Sequence, residues 1–121
     1  MTEKYFWKFL RGLLEKGRIQ QISGVIDSNE PQLKEAGRFI GYHSFLPKGH
    51  DKIARDKIIG IGELLLSRDA AIPTKKAILI LLAHHPSKDA FKALREYNQQ
   101  PDEELRIFSR IALDECQMWN E

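Results

Sequence analysis

Apolar side chains recur at three- and four-residue steps along most of this 121-residue chain, the spacing that lays one face of an α-helix against a core. Over residues 3–16, Tyr5, Phe6, Phe9, Leu10, Leu13 and Leu14 form a wide stripe, with Lys4, Lys8, Arg11 and Glu15 opposite. Gly17 stands where a helix would stop, because glycine enters the left-handed conformation without steric cost. Trp7 lies at the edge of the stripe, placed to pack over the end of the core.

A second periodic run, residues 18–26, repeats Ile19, Ile22, Val25 and Ile26 and halts at Asp27-Ser28-Asn29, whose side chains bond nearby backbone groups. Pro31 suits the first turn of a helix over 31–45, with Leu33, Ala36, Gly37, Ile40 and Gly41 inward. Phe45–His50, FLPKGH, is the one irregular insertion. Asp51 is then the expected N-cap of a helix over 52–66 whose inner side is Ala54, Ile58, Ile61, Gly62 and Leu65. Gly60 and Gly62 each cost that helix about 1 kcal/mol against alanine; close approach of a neighbouring helix is the reason to keep them.

The clearest stretch runs from Pro73 to Cys116 and predicts three amphipathic helices in a row. They cover 73–84, then 87–98 with Ala90, Phe91, Leu94 and Tyr97 inward, then a helix opened by Pro101-Asp102-Glu103-Glu104. The last carries Leu105, Phe108, Ala112 and Cys116 as its stripe, with Trp119 continuing it, and its acidic start complements the helix dipole. Residues 74–83 and 104–113 sit 30 positions apart in matching contexts, the period of a helical-hairpin repeat. Seven helices with short connections and no strand pattern predict a single all-α domain spanning 1–121.

Asp102-Glu103-Glu104-Leu105-Arg106, followed by Ala112-Leu113 and Asp114-Glu115, resembles the first helix of a HEAT-like repeat, in the short form of the phycobilisome-lyase group. Glu30-Pro31-Gln32-Leu33-Lys34 with Ile40-Gly41 is a weaker copy. Pro73-Thr74-Lys75-Lys76 with Leu82-Ala83 is weaker again, because Lys75 occupies the expected aliphatic position. Leu33, Lys75 and Leu105 are spaced 42 and 30 residues apart, the FLPKGH loop and a longer fourth helix absorbing the excess. The resemblance implies a right-handed α-solenoid of about three HEAT-like hairpins plus a C-terminal capping helix. Hairpins that cannot bury their apolar faces alone must stack, which gives independent physical support.

Composition narrows the class without naming a partner. Hydrophobic residues make up 42% and charged residues 30%, the balance of an ordinary globular domain. The net charge of +2 is too small to imply nucleic acid or an acidic lipid surface. It is unevenly spread: residues 1–80 hold 14 basic and 9 acidic side chains, residues 81–121 hold 5 and 8. No apolar run is long enough for a membrane span. The N-terminus is charged throughout and lacks a small-residue cleavage site, so it reads as helix and not as a signal peptide, with a cytoplasmic location expected. A single cysteine, Cys116, leaves no internal disulfide and no cysteine-based zinc site within one chain.

Candidate chemistry is sparse. His84-His85 could join Asp89 as metal ligands where Pro86 ends the helix, but no zinc-binding spacing accompanies them, and the default is a pair of surface or helix-end histidines. His43 and His50 flank the insertion near Asp51 and Asp56 with nothing to fix their geometry. Gly60-Ile61-Gly62 lies within an apolar helix and lacks the context of a phosphate loop. No catalytic residue, metal site or cofactor is expected.

The resemblance implies that the second helix of each hairpin lines the concave face. Its outward residues are Gln20 and Gln21, then Lys52, Arg55 and Glu63, then Lys88, Lys92, Arg95 and Gln99. This mixed, mildly basic surface suits a non-catalytic adaptor, inhibitor or immunity-type module meeting another protein with an acidic surface. The alternative is a nucleic-acid-binding HEAT-like protein whose Lys52, Arg55, Lys88, Lys92 and Arg95 follow phosphates.

Overall fold

A computed structural model describes residues 1–18, 46–67 and 69–120. Within them lie five α-helices: α1 (Glu3–Glu15), α2 (Arg55–Leu66), α3 (Ile72–Ala83), α4 (Lys88–Gln99) and α5 (Arg106–Trp119). Short 3-10 turns, His50–Lys52 and Glu103–Leu105, precede α2 and α5. The described residues contain no strand, only an isolated bridge between Arg18 and Pro47. None of their helices is long and apolar enough to cross a membrane. The helices expected over 18–26 and 31–45 lie outside the described residues, as do Gln20, Gln21 and His43.

Helix α1 begins where the Thr2 hydroxyl accepts the Tyr5 N–H at 3.1 Å. It ends before Gly17, which takes a positive φ of 138° and donates its N–H to Leu14 O at 3.1 Å. Phe6 and Leu10 from its stripe are fully buried, whereas Tyr5 stays on the surface.

The centre of the molecule is α3. Every residue from Ala77 to Ala83 is buried, so this helix, expected from the sequence to be amphipathic, is instead apolar on all sides over that stretch. Alternate helices pack side by side, α2 on α4 and α3 on α5, and each also packs on its neighbour in the chain. Gly62 sits in the α2–α4 seam, where an added Cβ would lie 2.9 Å from the Ala93 Cβ. The sequence-based reason for keeping this glycine therefore holds. Gly60 differs, because only the Met1 side chain lies near it.

Several local expectations are corrected. Asp51 is not an N-cap: it falls within the 3-10 turn, and α2 starts three residues after that turn's last residue, behind Ala54, which has no capping side chain. Ala54 is exposed, and the buried aliphatic residue of that stretch is Ile53. Leu46, within the irregular insertion, is a core residue. The acidic residues at 103 and 104 form a 3-10 turn, so α5 proper starts at Arg106. Leu105, Phe108, Ala112 and Cys116 are buried as expected, but Trp119 leaves the core and stands exposed.

The N-terminal end of α3 is held by α1. Glu3 Oε1 accepts the Ala71 N–H at 3.0 Å and the Thr74 hydroxyl, and Thr74 Oγ1 accepts the Trp7 indole N–H at 2.9 Å. These bonds hold the Glu3 carboxyl below the usual range, the Thr74 hydroxyl contributing most. Trp7 thus packs over the end of the core and spends its polar atom on α3.

Candidate functional site

Helices α2 and α4 approach closely because Gly62 and Ala93 offer no bulk at the seam. The shallow groove above it holds about 280 Å³ and is lined by Ile58, Ile59, Gly62, Glu63 and Leu66 from α2 and by Asp89, Lys92, Ala93 and Glu96 from α4. Ile59 and Leu66 are 39% and 42% exposed and both open onto this groove. The result is an apolar floor between charged walls of both signs.

The sequence-predicted contact residues divide around this groove. Lys92 lines it, and Arg55 reaches across it to Asp89, Nε to Oδ2 at 2.9 Å, in a largely exposed ion pair. Lys88, Lys92, Arg95 and Gln99 are exposed and share the outward side of α4 at helical spacing. Arg95 lies over the Phe91 ring, 5.7 Å from its centroid. Lys52 is exposed on the 3-10 turn. Glu63, Asp89 and Glu96 share the groove with Lys92, so its lining leans acidic where the sequence suggested a mixed surface with a basic lean.

Sequence reasoning missed a second cluster. Lys75 is buried, its side chain only 7% exposed, and its ammonium donates to Asp102 Oδ2 at 2.7 Å. Tyr97 donates its hydroxyl to the same oxygen and accepts the Asp102 N–H at 3.2 Å. Lys75 and then Tyr97 hold the Asp102 carboxyl below its usual range. Burial first, and the bond to Asp102 second, push the Tyr97 phenol well above its own. Asp102 is therefore the partner of a buried cation, a stronger role than complementing a helix dipole. The signal was available in Lys75 itself, a charge at an aliphatic position of the repeat pattern. These residues, with Leu65, Leu66, Ser67, Glu96, Gln100 and Pro101, line a half-open cleft of about 550 Å³ that adjoins the groove at Leu66 and Glu96.

The adjacent histidines also depart from expectation. His85 is buried, its Nε2 donating to Ile53 O at 3.1 Å and its Nδ1 accepting the Ser87 hydroxyl at 2.8 Å. Ser87 meanwhile caps α4 by accepting the Ala90 N–H at 3.1 Å. Burial pushes the His85 pKa down, which favours the neutral imidazole. His84 ends α3, with Nδ1 2.9 Å from Ile80 O and Nε2 3.3 Å from Glu115 Oε1. Its ring meets that of His50 edge-on at 6.2 Å, beside a cavity of about 350 Å³ bordered by Asp51, Pro86 and Trp119. Asp89, the third ligand weighed from sequence, is the partner of Arg55 instead. Among the described residues no group of three or more His, Cys, Asp or Glu side chains is placed to hold a metal ion.

Cys116 is buried on α5 and bonded by the Asn120 amide, Nδ2 to Sγ at 3.3 Å. Burial raises its thiol pKa to about 11, which keeps it protonated and unreactive. The described residues thus display an apolar-floored groove and a polar cleft, without a nucleophile–base pair at either.

No protein-family model, curated protein or solved structure matches the chain.

Proposed function

We propose that this chain is a non-catalytic protein-binding module, an adaptor or an inhibitor, built as a small HEAT-like right-handed α-solenoid and engaging its partner through the α2–α4 groove. One observation carries the reading: Ile59 and Leu66, about one turn before and one turn after Gly62 on α2, remain exposed in a groove walled by Glu63, Asp89, Lys92 and Glu96. Apolar anchor sites ringed by polar side chains are how protein interfaces combine affinity with specificity. The pairing of α2 with α4 and of α3 with α5 is what stacked hairpins would produce.

The partner would place an apolar side chain on Ile59 and Leu66 and acidic groups opposite the outward stripe of Lys88, Lys92 and Arg95. A nucleic-acid backbone laid along the same groove would meet Glu63, Asp89 and Glu96, so the geometry favours the protein reading.

The experiment is affinity capture of the tagged chain from its native lysate, in parallel with Ile59→Glu/Leu66→Glu and with charge-reversed Lys88/Lys92/Arg95. One stoichiometric protein, lost from the first variant and reduced in the second, is the expected result. Recovery of nuclease-sensitive nucleic acid, or of the same proteins by all three chains, would overturn the assignment.

A further inference from the structure

The cleft beside the groove holds an ammonium whose hydrogen bonding is incomplete. A lysine carries three N–H donors. Lys75 Nζ uses one on Asp102 Oδ2 at 2.7 Å, and the Tyr97 ring centroid lies 6.0 Å away. No second acceptor among the described residues bonds it, although the side chain is more than nine-tenths buried. Buried donors are nearly always matched, and more so when they carry charge.

The facing groups are incomplete in the opposite sense. Asp102 Oδ2 receives both Lys75 and Tyr97, while Oδ1 receives no donor among the described residues. Glu96 lines the same cleft and forms no ion pair with any described side chain. Two carboxylates against one ammonium leave the cleft net negative, so a simple carboxylic acid would be repelled. An amine without a carboxylate would satisfy Asp102 and Glu96 but leave the Lys75 donors unmatched. A molecule carrying both charges satisfies both sides. Of the remaining lining, Leu66 and Pro101 are apolar and Ser67 and Gln100 polar, and the volume of about 550 Å³ falls in the range of small-molecule sites.

We propose that this cleft binds a free aliphatic α-amino acid, with its carboxylate on Lys75 Nζ, its ammonium between Asp102 and Glu96, and its side chain against Leu66 and Pro101. The assignment does not depend on the protein-docking reading, and its test uses no partner.

The test is isothermal titration calorimetry of the whole chain with L-leucine, leucinamide and N-acetyl-leucine, together with the methyl resonances of Leu66. Leucine saturates one site per chain and shifts those methyl resonances. Leucinamide, which lacks the carboxylate, and N-acetyl-leucine, which lacks the ammonium, bind at least about tenfold more weakly, the scale of a lost charge-assisted bond. Lys75→Met, which keeps the length of the side chain and removes its donors, loses leucine binding. No saturable heat from leucine at 10 mM, equal binding of leucine and leucinamide, or undiminished binding by a folded Lys75→Met chain would each overturn the proposal. Should Lys75→Met fail to fold, the ranking of the three ligands on the unaltered protein decides.

Discussion

Gly62 and Ala93 meet across the seam between α2 and α4 so closely that a methyl group on Gly62 would lie 2.9 Å from the Ala93 Cβ. Alanine in place of a helical glycine gains about 1 kcal/mol from backbone entropy. Overpacking a tight contact costs about 1–3 kcal/mol, and here the neighbouring atom is the first carbon of a side chain on another helix, which cannot rotate away. Gly62→Ala is therefore expected to destabilise by about 1 kcal/mol, whereas Gly60→Ala, facing only the Met1 side chain, stabilises by about 0.5–1 kcal/mol. Urea denaturation of both variants reads the contrast. Ala93→Gly in the Gly62→Ala background should recover part of the loss, giving a coupling that a packing-free account does not produce.

The Lys75–Asp102 pair predicts an asymmetry between its two halves. Asp102→Asn leaves a buried ammonium without its anion and should cost about 1–2 kcal/mol, reduced from the 3–5 of a fully buried pair because the aspartate is 36% exposed. Lys75→Met removes the buried charge itself and should cost less. The pH dependence has a definite sign. The Asp102 pKa is lower in the folded state than its ordinary value of 3.8, so its contribution is complete above that value and is lost as pH falls through the lower folded one. The same acid limb should flatten in Asp102→Asn, measured by denaturant midpoints below pH 5.

His85 acts at a higher pH. Burial lowers its folded-state pKa below 6.5, and His50 lowers it slightly further, against raising influences from the Ile53 carbonyl, Asp51 and Asp89. The unfolded chain therefore binds the proton more tightly, and stability falls as pH drops from 6.5 through the folded value. The expected result is a loss of stability between about pH 6.5 and pH 5 that is reduced in His85→Gln. Thermal melts across that interval check it. An unchanged slope in the variant would assign the loss to other groups.

Much of the fold was legible because the apolar stripes are regular. Most of the buried positions of α4 and α5 follow from spacing alone, Ala93 and Ser109 being the misses, and the helix read over 87–98 matches α4 within one residue at each end. Elements short of a full turn were not legible. The 3-10 turns at His50–Lys52 and Glu103–Leu105 carry the same acidic residues that mark helix starts, and only tertiary context separates the two. The outward basic stripe of α4 could be read from the sequence, but the acids that temper it could not be placed, because Glu63 and Asp89 meet only when two helices pack. The polar cluster was hidden for a related reason. Lys75, Tyr97 and Asp102 lie on separate segments, and the burial of a lysine is decided by what surrounds it.

The bonds from Glu3 and Trp7 to Thr74 join residues about 70 positions apart in the chain. During synthesis α1 emerges long before the helix it must cover, and at about 5–20 residues per second the interval is about 4–14 s. Throughout that time Glu3 and Trp7 lack the α3 hydroxyl that both engage in the finished molecule. Docking of α1 against the N-terminal end of α3 is thus a late step of folding, one that waits for residue 74.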